Sequence, residues 1–155
     1  MPEARPRAVA ADTIVPWSRV IALALAITFA ILAAMHVGWA IRGTGKSAAV
    51  PVRPDGSQLF TPGPVPTLAV AALLVLASAI VLARAAIIGL PVPPSLIRLG
   101  TWGVAATFAL RTIGEFKYVG LFRRVRGTTF ATWDARLFTP LCALVAVGTA
   151  WVAAS

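Results

Sequence analysis

Four side chains in this sequence have the chemistry to move a proton or hold a charge inside an otherwise apolar chain: His36, Arg111, Glu115 and Asp134. His36 is the single histidine, and an imidazole titrates near neutrality, which suits a general acid or base. Trp39 stands three residues after it, so the two share one stripe of a helix together with Ala40. Arg111 and Glu115 are four apart, the spacing of an ion pair on one helix face if the helix runs through both. Lys117 and Tyr118 follow closely, and Asp134 precedes the last apolar run.

Each residue also has a plainer use. An intramembrane histidine can simply hydrogen-bond a neighbouring helix, and a tryptophan near a helix end is an ordinary interfacial anchor. Asp134 suits a helix N-terminal cap, and Glu115 an ion pair with Arg111. There is no second histidine, no cysteine pair and no acidic cluster. A metal or haem site would lack ligands, and no cofactor is expected.

The elements that must position these residues are apolar helices. Of 155 residues, 59% are hydrophobic and 12% charged, against about 25% charged in a soluble domain. Lipid is the natural solvent for such a chain. The run Val20–Ile41 spans about 33 Å at the helical rise, enough for a bilayer core. The second run is Thr67–Leu90, framed by Pro62, Pro64 and Pro66 before it and Pro91, Pro93 and Pro94 after it. The third, Ser95–Gly114, spans only if Arg98 and Arg111 snorkel to opposite interfaces. The fourth is Leu137–Ala154, with Pro140 in its first turn, where a missing N–H does no harm. The expectation is an all-α, integral membrane four-helix bundle in one membrane domain, with helices at 20–41, 67–90, 95–114 and 137–154 and polar loops at 42–66 and 115–136.

An even number of spans puts both termini on one side. The loops at 42–66 and 115–136 hold Arg42, Lys46, Arg53, Lys117, Arg123, Arg124, Arg126 and Arg136, with Arg111 beside them; the other face holds Arg5, Arg7, Arg19, Arg84 and Arg98. The positive-inside rule then favours cytoplasmic loops one and three. The net charge of +9 falls mostly between apolar runs, so no nucleic-acid partner is expected. The partners expected are the bilayer itself and anionic lipid at Arg123, Arg124 and Arg126, and assembly as a homo-oligomer stays open. Twelve of the fourteen basic residues are arginine and asparagine is absent. That bias suggests a bacterial source and an inner-membrane location.

Two weaker signals reduce to structure. Ala40-Ile41-Arg42-Gly43-Thr44-Gly45-Lys46-Ser47 fits a permissive phosphate-loop pattern, but a working loop needs a strand before it and a helix after it. The lone Cys142, inside an apolar run, reads as a small packing residue.

Three segments resemble a known family. They are His36-Val37-Gly38-Trp39-Ala40, the run Arg111-Thr112-Ile113-Gly114-Glu115-Phe116-Lys117-Tyr118-Val119-Gly120, and Trp133 through Cys142. Together they resemble the bacterial four-helix membrane family known as domain of unknown function 3995, across nearly the whole chain. In that pattern Asp is usual where Glu115 stands and Tyr where Phe138 stands. The resemblance implies a small inner-membrane protein of four helices and implies no activity.

The functional expectation is a non-enzymatic membrane protein that binds a lipid-like or other apolar ligand, or a membrane partner, at the polar end of the bundle. His36, Trp39, Arg111, Glu115, Tyr118 and Asp134 would form that site. One alternative is an enzyme acting on a lipid, quinone or isoprenoid, with His36 or Glu115 as acid/base and Arg111 stabilising negative charge. Another is an oligomeric transporter or channel.

Overall fold

The computed structural model describes residues 16–43, 50–53 and 55–155. Arg5, Arg7, Lys46, Pro54 and the Thr44–Ser47 part of the phosphate-loop pattern lie outside them.

The protein is all-α, built from four helices. Helix α1, Trp17–Arg42, contains an unbroken apolar run between Arg19 and Arg42, and it ends where Gly43 turns to a φ of 75°. Helix α2, Pro64–Arg84, opens on two prolines in its first turn, where their missing N–H groups cost nothing. It stops at Arg84, six residues before the expected end at Leu90. The N–H groups of Ala85, Ala86 and Ile87 fold back onto the carbonyls of Val81, Ala83 and Leu82. Ala86 takes a φ of 52°, and Pro91 and Pro93 keep the residues before them out of the helical region. The apolar stretch 85–90 is therefore the turn that reverses the chain into α3, Pro94–Ile113. Gly114, with a φ of 84°, ends α3.

Helix α4 runs Thr129–Ala154, eight residues earlier than the expected start at Leu137. Thr128 caps it, its side chain accepting from the N–H of Ala131 at 3.1 Å. Within it, Thr129–Trp133 and Thr139–Ala154 are α-helical and Asp134–Phe138 forms a π turn. Pro140 is the physical reason for a break in the ladder. It lies inside the helix, not in its first turn, has no N–H for the carbonyl four residues back, and its ring crowds that carbonyl. One widened turn relieves this.

Helices α1, α2 and α4 are long and apolar enough to cross a membrane. Helix α3, with Arg98 and Arg111 inside it, is not among them. Helix α1 packs chiefly on α2 and α3 chiefly on α4, with a looser seam between α2 and α3. The shared core holds Phe29, Leu74, Val81, Val145 and Val152. Small residues such as Ala22, Ala26, Ala71 and Ala77 let the helices approach closely. The outer faces carry Leu73, Val75, Leu144 and Val147, all exposed. Apolar area of that extent would be a liability in water and is ordinary against lipid.

Candidate functional site

The charged candidates separate into two places. Asp134, fully buried at the start of the π turn, is the centre of the first. Its Oδ1 accepts from Arg111 Nη2 at 2.7 Å. Its Oδ2 accepts from the N–H of Gly120 at 2.9 Å, from Thr139 Oγ1 at 3.1 Å and from Arg123 Nη1 at 3.3 Å. Four donors therefore meet one carboxylate, three of them on Oδ2. The π turn contributes directly, because a wider turn brings Thr139, five residues on, back beside Asp134.

The segment between α3 and α4 is folded around this carboxylate. Gly120 can approach it because Gly120 and Gly114 lie back to back, both with φ near 85°. A Cβ on Gly120 would meet the Gly114 backbone and the Ile113 carbonyl at 2.6 Å. Glu115 accepts from the N–H groups of Lys117, Tyr118 and Val119. It is thus a turn cap. The expected Arg111–Glu115 pair does not form, because Gly114 ends the helix between them and Arg111 turns to Asp134. Tyr118 packs against Lys117, whose Nζ lies 5.3 Å from the ring centroid. Arg123 also donates to the carbonyl of Gly120 at 2.7 Å. Its side chain is only 14% exposed, so it faces inward while Arg124 and Arg126 are exposed.

The second place holds His36 and Trp39. Their rings meet edge to face at 5.1 Å between centroids. His36 Nδ1 lies 2.7 Å from the carbonyl of Leu32. A carbonyl only accepts, so Nδ1 carries a hydrogen, and in the neutral ring Nε2 holds a lone pair. Both residues line a cavity of about 440 Å³ with Val50, Phe60, Pro66 and Val70, a size within the range of small-molecule pockets. The 50–63 loop that borders it is held by the N–H of Leu59 donating to the Pro51 carbonyl at 2.8 Å and by an Asp55–Ser57 turn. No acid lines this cavity. No hydrogen bond, ion pair or ring contact among the described residues joins His36 to the Asp134 cluster.

The chemistry open to each place follows. Asp134 is held by four donors and Glu115 by three backbone N–H groups, so both carboxylates serve to shape the 114–128 segment. His36 Nε2 has no hydrogen-bond partner among the described residues, and the cavity that His36 lines is mainly apolar, with Thr61 and Thr67 in its wall. Sequence reasoning missed Arg123, Thr139 and the glycine pair. Two glycines six apart around a polar turn were the available signal for the last.

Searches of curated proteins and of solved structures find no match. A family model matches residues 29–149, from inside α1 to inside α4, and covers both places just described. The chain belongs to that family, described as Protein of unknown function (DUF3995).

Proposed function

We propose that this chain is a multi-pass protein of the bacterial inner membrane that binds an apolar or amphiphilic ligand in the His36–Trp39 cavity, without catalysis. One observation carries the reading. His36 Nδ1 is tied to the Leu32 carbonyl, which leaves Nε2 as a hydrogen-bond acceptor at the wall of a mainly apolar cavity whose other polar lining is Thr61, Thr67 and the Trp39 indole. A ligand with one hydroxyl or amide donor and an apolar body satisfies both features. The Asp134 cluster serves as the clamp that fixes the 114–128 segment to α3 and α4.

In this reading the loops after α1 and after α3 face the cytoplasm. Exposed Arg124 and Arg126 meet anionic headgroups there, and Arg123 belongs to the clamp. A long-chain alcohol carrying a photoreactive diazirine, applied to the full-length protein in nanodiscs, tests the site. Adducts are expected on Phe60, Pro66 and Val70. Adducts spread only over the exposed faces of α1 and α2 would contradict it.

A further inference from the structure

At the opposite end of the helices, two arginines share one space without an acid. Arg84, in the last turn of α2, and Arg98, near the start of α3, both line a cavity of about 450 Å³ with Ser95 and Ile97. Arg84 Nη2 donates to the carbonyl of Ala153 at 3.1 Å, but its Nε is buried with no partner. Arg98 makes no hydrogen bond or ion pair among the described residues, and neither does the Ser95 hydroxyl. Two guanidinium groups at the edge of an apolar chain repel each other and are costly to desolvate. An anion between them removes both penalties, and phosphate matches the planar donor fork of arginine.

The same two helices open into an apolar groove of about 500 Å³, lined along α2 by Leu73 and Ile80 and along α3 by Gly100, Gly103, Val104 and Thr107. It lies in register with the arginines. Ile80 is one helical turn from Arg84 on α2, and Ile97, which lines the charged cavity, is one turn from Gly100 on α3, so groove and charged cavity share the same two helix faces. From Arg98 to Thr107 the helical rise gives about 14 Å, the reach of much of an acyl chain. Gly103 keeps the groove open, since a Cβ there would meet nothing within 4 Å.

We propose that one anionic phospholipid seats on this face, its phosphate held by Arg84 and Arg98 and one acyl chain lying along the α2–α3 groove. Charge complementarity selects the lipid class. No acid lines the cavity, so a zwitterionic headgroup would bring a third cation with nothing to neutralise it. The site rests on the membrane reading of the chain and is independent of the His36 cavity.

Native mass spectrometry of the full-length protein from mixed phosphatidylglycerol and phosphatidylcholine nanodiscs tests it. The wild type should retain phosphatidylglycerol in preference. Arg98→Gln, which breaks no contact within the protein, should weaken that retention about tenfold, the scale of one charge-assisted hydrogen bond. Gly103→Leu, which fills the groove from open space, should lower retention of the lipid while leaving competition by inorganic phosphate unchanged. Equal retention of the two lipids by the wild type would overturn the proposal. So would full displacement by inorganic phosphate together with an unaffected Gly103→Leu variant, which would mark a site for a free anion.

Discussion

The guanidinium of Arg111 reaches Asp134 at 2.7 Å across 23 positions of chain, and it joins the end of α3 to the π turn of α4. Arg123 meets the same carboxylate from the intervening segment. One buried negative charge therefore answers two positive ones, and the cost of losing it is asymmetric. Asp134→Ala leaves two guanidinium groups without their counter-charge and is expected to cost about 3–5 kcal/mol. Arg111→Gln should cost less, because Arg123, Gly120 and Thr139 still satisfy the carboxylate. Thermal unfolding in detergent checks this order, and equal losses for the two variants would contradict it. In the double variant the losses should fall short of their sum by about 1–3 kcal/mol.

Gly120→Ala should destabilise more than Gly43→Ala. Both positions have positive φ, so both variants pay backbone strain of about 1–2 kcal/mol. Only Gly120 also drives a methyl group into backbone, at Gly114 and Ile113, whereas a Cβ at position 43 meets nothing within 4 Å among the described residues. The melting temperatures of the two variants, measured side by side, give the comparison. A Gly43→Ala loss as large as that at Gly120 would refute the back-to-back packing.

The segment around Asp134 shows which features a sequence reveals. The three membrane-length helices were legible because long apolar runs and flanking arginines and prolines report length and solvent directly. The spacing of His36 and Trp39 was legible for the same local reason, since a turn of helix decides it. Arg111 was given the wrong partner because the four-residue rule assumes a helix that Gly114 in fact ends. Leu137 looked like the helix start, with Pro140 in its first turn, because the eight helical residues before Leu137, including Asp134 and Arg136, are too polar to read as part of a span. Arg123 looked like an interfacial cation because nothing local says that a fold will turn it onto a carboxylate eleven positions away. Partners set by tertiary packing leave no periodic trace.

Asp55 gives the loop beside the cavity a defined pH response. The Ser57 hydroxyl donates to its carboxylate at 2.7 Å and the Ser57 N–H at 2.9 Å, and with the charge of Arg53 they hold its pKa below the usual value. A lowered pKa means that the turn is favoured while Asp55 is ionised and loses that support as pH falls through the depressed value. The Ser57 amide resonance should be steady through neutral and mildly acid pH and shift only below the ordinary carboxylate value. Asp55→Asn should abolish the step. A midpoint at or above the ordinary carboxylate value would contradict the turn.

The claim that the His36 cavity binds a ligand is tested most directly by Trp39 fluorescence, because the two rings are in contact at its wall. In full-length protein whose other four tryptophans are replaced by phenylalanine, a brominated long-chain alcohol should quench Trp39 along a saturable curve. His36→Ala should shift that curve to about tenfold higher concentration, the scale of one hydrogen bond lost from a low-dielectric site. Quenching that rises without saturation, and equally in both proteins, would show simple partitioning into lipid and would contradict the account.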